Sequence, residues 1–282
     1  MKKAFIILAM CMLTIFGMAQ EKNFEGEILF ETFENYSDYI QKMPFSIYFN
    51  GVHKMRLIVK GDKMHLIDET TKCHVIADNS VPSYVHFCDL TKTGMDYDKD
   101  IVVAMRALTS DKEINFVGIP ALLTNYTFAK TDTEKSILGR KCFLYAGNIN
   151  RKMAGTEVKY EIKSYISDIP APNGYKMYLN GLETPGIALK YSYKYDGGHL
   201  SLMNVGELSS YVEADITEII PREVNDNEFD IPADYKILKK DVALIKYINS
   251  VRKQLVKLGV KGEDNDKKTT GVHYKTNDEW DF

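Results

Sequence analysis

Beyond its first nineteen residues, the sequence contains no apolar run long enough to cross a membrane as a helix, which takes ~20 apolar residues. Cysteine is scarce, with 4 in 282 residues, and this excludes a disulfide-rich scaffold. Catalytic motifs are missing too: there is no Gly-x-Ser-x-Gly elbow, no His-Glu-x-x-His and no glycine-rich phosphate loop. We therefore predict a protein that is not an enzyme and needs no cofactor.

Metal-binding patterns are equally absent. His65, His74 and His86 fall on three successive predicted strands, but no third ligand shares a face with a pair of them, so packing on the sheet is the better interpretation. The carboxylate-rich run 226–230 lacks the glycine and the distant glutamate of a calcium-binding EF-hand loop. We predict no metal site.

The N-terminus has the three parts of a secretion signal. Lys2 and Lys3 precede the apolar run Ala4–Phe16, and the small residues of Gly17–Ala19 place a cleavage site before Gln20. Met10 stands where a lipoprotein signal needs a small residue before its cysteine, so we do not expect lipidation. We expect a soluble, exported mature chain, in the periplasm, associated with the outer membrane or secreted, with no transmembrane segment.

Charge argues against one class of partner. The formal net charge of the whole chain is -3, and the predicted signal carries two lysines and no acidic residue, so the mature charge is -3 - 2 = -5. A nucleic-acid-binding surface needs an excess of basic residues. We therefore predict no nucleic-acid partner.

From Phe24 to about Ile220, apolar residues mostly alternate with polar ones, which is typical of antiparallel strands. The clearest case is the run 187–195, where Tyr191, Tyr193 and Tyr195 share one face and lysines occupy the other. We count about ten such strands. The prediction is a mainly β fold: one large curved antiparallel sheet, a half-open barrel, because a flat sheet of this size would leave its apolar face wet.

Two segments depart from this alternation. The apolar clusters between residues 100 and 123 predict a short helix that covers the sheet. Residues 237–258 have apolar side chains every three or four positions and end at Gly259, which predicts a C-terminal amphipathic helix. This helix is basic; we favour docking on the sheet with its lysines in water over contact with an acidic partner or an anionic membrane. The predicted divisions are a signal peptide (1–19), a β domain (20–236), the helix (237–259) and a polar, disordered tail (260–282).

Cleavage of the signal leaves Cys73, Cys88 and Cys142. In an antiparallel hairpin, the residue numbers of directly opposite residues add up to a constant, the pairing sum. Two residues on the two strands face the same side only if their own numbers add up to a value of the same parity, odd or even, as the pairing sum. An odd sum would place Cys73 opposite Cys88 and permit a disulfide. An even sum would instead place Cys73 on one apolar face with Val75, Ala77, Val85 and Phe87. The even register is favoured, but the odd one remains open if both faces of the sheet are covered.

Three stretches resemble two related groups of exported bacterial envelope proteins. Residues 136–142 (SILGRKC) resemble an ILGYKC segment, residues 165–170 (YISDIP) a strand ending in Ile-Pro, and residues 181–189 (GLETPGIAL) a GLPGLI motif with two inserted residues. Arg140 stands where the first motif has an aromatic residue. Residues 24–28 (FEGEI) and 229–235 (FDIPADY) are more similar to the second group, whose fold is similar to that of the lipoprotein carrier LolA. The resemblance spans about residues 24–236.

This resemblance implies a LolA-like curved sheet with a covered concave groove that accepts an acyl chain or a hydrophobic peptide. The hypothesis is a non-enzymatic envelope protein that binds a lipid or another hydrophobic ligand. We predict that the groove is lined by Phe87, Ile101, Met105, Leu122, Tyr191 and Tyr193. The alternative is a structural or partner-binding envelope protein whose sheet interior is filled by its own side chains.

Overall fold

The computed structural model of the chain describes residues 24–37, 50–81, 83–97, 114–116, 119–153, 156–179, 182, 184–199, 207–238 and 241–260. The predicted signal peptide and tail lie outside the described residues, as do Ile101 and Met105 of the predicted groove. Within the predicted covering segment, residues 119–123 belong to a strand.

In the part of the chain that the structure describes, thirteen strands form a single sheet, so the prediction of a mainly β fold built on one large sheet is confirmed. In chain order the strands are β1 Gly26–Tyr36, β2 Gly51–Lys60, β3 Lys63–Asp68, β4 Cys73–Asp78, β5 Ser83–Cys88, β6 Thr93–Asp96, β7 Ile114–Phe116, β8 Ile119–Ile137, β9 Arg140–Met153, β10 Thr156–Ile166, β11 Ala188–His199, β12 Glu207–Pro221 and β13 Lys236–Leu238.

The sheet consists of two antiparallel meanders joined at their first and last strands. Strands β1 to β6 follow one another across one half, and β7 to β12 across the other; β12 then pairs with β1. The short strand β13 adds to β6 in parallel, which makes the sheet mixed. Strands β13 and β7 are the two edges, so the sheet is open in the part of the chain that is described.

Among the described residues, two α-helices accompany the sheet: α1 (Asn173–Tyr178) and α2 (Asp241–Lys257). The amphipathic pattern predicts a helix from residue 237, but Ile237 and Leu238 pair with β6 instead. At the other end, Gly259 adopts a positive φ of 70°, and Val260 N–H donates to Leu255 O at 3.0 Å, which is the Schellman C-cap that the glycine predicts.

Both helices pack on the same side of the sheet, which we call the helix face. Helix α1 covers a core that includes Ile28, Leu57 and Met64, and its Tyr175 is fully buried there. The approach is close at Gly174, whose N–H donates to Gly61 O at 2.8 Å. A Cβ at this position would lie 2.3 Å from Lys63 O, so only glycine fits.

The other side, which we call the loop face, is covered by residues 222–237. This segment includes a 3-10 helix (Asp226–Phe229) and buries Val224 and Phe229 against β2 to β5. Arg222 ties it down, since its guanidinium donates to Glu27 Oε2 at 3.2 Å and to Glu228 Oε2 at 2.6 Å. Strands β2 to β6 are therefore covered by apolar side chains on both faces.

Candidate functional site

A row of tyrosines crosses the helix face where β10 and β11 pair. Tyr191, Tyr193 and Tyr195 project from alternate positions of β11, and Tyr160 lies directly opposite Tyr195. The ring centroids of Tyr160 and Tyr195 are 4.8 Å apart, and those of Tyr160 and Tyr193 are 5.5 Å apart. All four side chains are half-buried. Alternation along the strand is the physical reason that three tyrosines meet on one face.

Helix α1 closes one end of this row. Tyr178 of α1 donates a hydrogen bond from its hydroxyl to the Tyr191 hydroxyl at 2.9 Å, and its ring meets Phe30 edge-on at 5.2 Å. Burial raises the pKa of Tyr178 and of Tyr191 well above the ordinary value for tyrosine. Both phenols are therefore neutral at physiological pH and act as hydrogen-bonding groups in an apolar wall.

Arg151 of β9 brings a positive charge into the same row. It lies opposite Val158 of β10, and only 6% of the residue is exposed. Burial lowers the pKa of Arg151, whereas its neighbours Tyr160 and Tyr193 act in the opposite direction. A guanidinium keeps its proton even so, because its ordinary pKa lies far above the physiological range. The result is a desolvated cation beside two tyrosines.

Apolar side chains complete this surface. Ile149 precedes Arg151 by two residues and is fully buried, Ile162 is buried beside Tyr193, and Phe128 of β8 packs at the same level. We define the tyrosine face as the following residues together: Phe128, Ile149, Arg151, Tyr160, Ile162, Tyr178, Tyr191, Tyr193 and Tyr195.

A carboxyl group lies near the end of the tyrosine face closed by α1. Glu34 of β1 accepts a hydrogen bond from the Tyr36 hydroxyl at 2.7 Å, and burial raises the pKa of its carboxyl above the usual value. Beyond it, His53 Nδ1 lies 2.9 Å from Asp68 Oδ2. Four strand spacings of ~4.8 Å each, roughly 19 Å, separate Glu34 on β1 from Arg151 on β9.

The four predicted groove residues that the structure describes do not come together on one face. Tyr191 and Tyr193 belong to the tyrosine face, whereas Phe87 is buried on the loop face, where it stacks on His74 at 4.7 Å. Leu122 pairs with Lys152, one position out of phase with Leu123 and Arg151, and is 41% exposed on the loop side. Side chains alternate between the two faces along a strand, and Phe87 and Leu122 both occupy loop-face positions in their strands.

Arg151 was not among the predicted residues, although the sequence carries a signal for it. It stands two positions after Ile149 on a strand, and alternation places both side chains on one face. A charged residue in phase with an apolar row is the feature that would have drawn attention to it. Only the pairing of β9 with β10, however, places it beside Tyr160 and Tyr193.

The three histidines fall on two faces. His65 Nε2 lies 3.0 Å from His74 Nδ1 on the loop face, and His74 Nε2 lies 3.3 Å from Asp89 Oδ1. His86 instead lies on the helix face, opposite Val75. Among the residues that are described, no group of three or more His, Cys, Asp or Glu side chains could hold a metal ion.

The hairpin of β4 and β5 has the odd register. Cys73 lies opposite Cys88, a number sum of 161, and both thiols are free and buried. The even register, which the apolar pattern favours, is not the one formed. Its argument assumed one covered face, but α2 covers the helix face here and residues 222–237 cover the loop face.

Comparison with known proteins adds little. No family model matches the chain, and no curated protein matches it. Among solved structures, the chain is similar to one described as PNGF-II in the C2 space group, with 12% sequence identity and a TM-score of 0.38. The match covers 80% of this chain and 33% of that one, so this chain spans about a third of the length of PNGF-II. A TM-score this low assigns neither a family nor a function.

None of the helices that the structure describes combines the length and the apolarity that a membrane crossing requires.

Proposed function

We propose that the protein is a non-enzymatic, exported envelope protein that binds an amphiphile with an acyl-like body and an anionic head group. The binding site is the tyrosine face, and the head group pairs with Arg151. The observation that carries the proposal is a nearly buried guanidinium set among half-buried tyrosines on one face of an open sheet.

The tyrosines form the apolar wall of the proposed site. Their rings offer flat apolar area, and their hydroxyls tolerate water or a polar group at the rim. Tyr160, Tyr193 and Tyr195 keep part of their surface exposed among the described residues. Such a mixture of apolar wall and few polar groups is typical of sites for small organic ligands.

The positive charge of Arg151 indicates which class of ligand the site would bind. A guanidinium keeps its positive charge over the whole physiological pH range, so this part of the surface attracts an anionic group. A carboxylate or a phosphate next to Arg151 would accept two parallel N–H donors, the strongest pairing available to a guanidinium. Glu34, the carboxyl near the opposite end, lies roughly 19 Å away across the sheet, beyond the distance of about 8 Å over which salt screens exposed charges.

The test is to recover the ligand and then to rebind it. Protein purified from its own envelope fraction is examined by native mass spectrometry and by lipid extraction, and we expect a bound anionic amphiphile. The delipidated chain is titrated separately with a fatty acid and with a lysophospholipid, which distinguish a carboxylate from a phosphate head group. Recovery of empty protein that binds neither probe would contradict the proposal and favour the structural alternative.

Matched variants locate the site. Arg151→Gln should weaken binding of the anionic probe at least tenfold, the loss expected for about 1.4 kcal/mol, but leave binding of an uncharged analogue nearly unchanged. Lys152→Gln is the control, because this exposed lysine is the next residue and points to the other face. Leu122→Ala is a second control, because Leu122 lies on the loop side of the sheet and its truncation should leave binding unchanged. Equal losses in Arg151→Gln and Lys152→Gln would show a nonspecific charge effect.

A further inference from the structure

The register of β4 and β5 brings two cysteines directly opposite each other. Asp89 N–H donates to Lys72 O at 2.9 Å, so residues 72 and 89 are a hydrogen-bonded pair. Pairs alternate along an antiparallel ladder, and Cys73 and Cys88 are therefore a non-hydrogen-bonded pair. At such positions the Cα atoms are about 4.5 Å apart, within the range that a disulfide spans.

The two sulfur atoms also converge on one oxygen. Cys73 Sγ lies 3.8 Å from Thr71 O, and Cys88 Sγ lies 4.0 Å from the same atom. The Cys73 thiol donates to the Cys88 sulfur, and this hydrogen bond, followed by the N–H groups of Leu90 and Thr91, lowers the pKa of Cys88. The pKa of Cys73 is raised, first by that hydrogen bond and then by burial.

The third cysteine of the β domain is far away along the sheet. Cys142 belongs to β9, and seven strand spacings separate β9 from β4, on the order of 30 Å along the sheet. It belongs to the same core cluster as Ile28 and Tyr175, whereas Cys73 and Cys88 pack with Met95. Cys142 is therefore not a partner for either thiol.

Helix α2 covers the pair. Tyr247, Ile248, Val251 and Leu255 are buried against Cys73, Cys88 and Met95, and Cys88 has no exposed surface. A bulky oxidant or reductant therefore reaches the sulfur atoms only when α2 moves away from the sheet.

From these contacts we propose that Cys73 and Cys88 are a redox pair that closes to a disulfide by exchange with an external disulfide, under the control of α2. The Cys88 thiolate attacks the external disulfide and releases one thiol. Cys73 then loses its proton and attacks the Cys88 sulfur of the mixed disulfide, which releases the second thiol. One external disulfide is reduced to two thiols as the two cysteines are oxidised, so electrons and protons balance. The proposal does not depend on ligand binding at the tyrosine face.

The chain offers a clean readout by peptide mapping. Trypsin cuts after Lys72 and Lys92, and the peptide 73–92 carries both cysteines with no other cleavage site. A separate peptide, 142–151, carries Cys142. The full chain is equilibrated with oxidised and reduced glutathione, unfolded, alkylated and digested. We expect the first peptide to be two hydrogens lighter and unalkylated, while Cys142 is alkylated.

A second cleavage before Asp78 and Asp89 checks the linkage, since the fragments 73–77 and 78–88 then stay joined only through the disulfide. Cys142→Ser should leave the oxidation of the pair unchanged. Alkylation of Cys73 and Cys88 to the same extent as Cys142, under the most oxidising buffer, would overturn the proposal, as would a disulfide to Cys142.

The covering role of α2 is tested on the reduced protein by the rate of reaction with Ellman's reagent. Val251→Ser weakens the contact of α2 with the thiols and should speed their reaction several-fold, with the rate of Cys142 unchanged. Lys253→Ser is the matched control, because this side chain is exposed on the same helix. Equal rates in the two variants would refute control by α2.

Discussion

The hydroxyl of Tyr247 in α2 lies 2.6 Å from His86 Nδ1 of β5, a hydrogen bond between two buried side chains. Their rings meet edge-on, with centroids 5.5 Å apart. His86 Nδ1 accepts this bond in the neutral ring that carries its proton on Nε2, and donates it in the other neutral tautomer. This pair joins the C-terminal helix to the sheet beside Cys73 and Cys88.

The first prediction concerns pH. Burial is the main cause that lowers the pKa of His86, and that of His65, to about 4. Between about pH 6.5 and pH 4 the unfolded chain binds more protons at these rings than the folded chain does. Stability should therefore be highest above pH 6.5 and fall as the pH drops towards 4. Urea unfolding at several pH values measures this slope.

His86→Gln isolates one of the two histidines. This variant should be less stable near neutral pH, since it changes a buried contact, but its stability should depend less on pH than that of the parent chain. A slope equal to the parent's would show that His86 is not the group that titrates.

The second prediction concerns Tyr247 alone. Tyr247→Phe keeps the ring but removes the hydroxyl, so the buried His86 nitrogen loses its hydrogen-bond partner at a cost of about 1–2 kcal/mol in the free energy of unfolding. Hydrogen exchange should accelerate first in α2. Lys253→Ala, an exposed change on the same helix, should stay within about 0.5 kcal/mol of the parent. Faster exchange spread evenly over the sheet would contradict a local role.

The third prediction concerns Gly174. Gly174→Ala places a methyl group 2.3 Å from Lys63 O, and α1 must shift away from β3 to relieve the clash. We expect a loss of about 1–3 kcal/mol and a change in the near-ultraviolet signal of the tyrosines that α1 touches. Gly139→Ala is the control: Gly139 has a positive φ of 72°, but an added Cβ there meets nothing within 4 Å, so the variant bears only backbone strain of about 1 kcal/mol.

The fourth prediction concerns an ion pair on the loop face. Lys190 Nζ lies 2.7 Å from Glu213 Oε1, and the Glu213 side chain is fully buried. Tyr211 also donates to this carboxylate, at 2.7 Å. Lys190→Met should cost about 3–5 kcal/mol, because it leaves a buried carboxylate without its cation.

The double variant Lys190→Met, Glu213→Leu tests the reason for that cost. It should recover most of the lost stability, since the buried carboxylate is removed and Asp215, the other anion beside Lys190 at 3.2 Å, has a side chain that is 38% exposed. A double variant as unstable as the sum of its single changes would show that packing, and not charge, determines the loss.

Alternation along strands was enough to predict much of the fold. The run around Tyr191 and Tyr193 places both side chains on one face whatever the neighbouring strands are, because the period of two belongs to the strand itself. Gly259 likewise marks the end of α2, since it supplies the positive φ of a C-cap at little cost. Local geometry alone fixes these features.

The register in which two strands pair could not be predicted from alternation in the same way. Cys73 and Cys88 face each other because residues 78 and 83 pair at the turn, which makes the sum odd. Apolar alternation favours the even sum only for a sheet covered on one face. The segment 222–237, far along the chain, covers the second face and removes that preference.

The candidate site likewise combines features that follow from the sequence with features that depend on the tertiary structure. The amino-acid sequence by itself determined that Tyr191, Tyr193 and Tyr195 form a row, that a mainly β sheet results, and that no recognisable catalytic motif accompanies it. Only the tertiary structure set Arg151 beside Tyr160 and Tyr193, moved Phe87 and Leu122 to the opposite face, and placed α2 over the two cysteines. The physical reason is that the face of a side chain follows from its own strand, whereas its neighbours depend on register and on which distant segments cover each side.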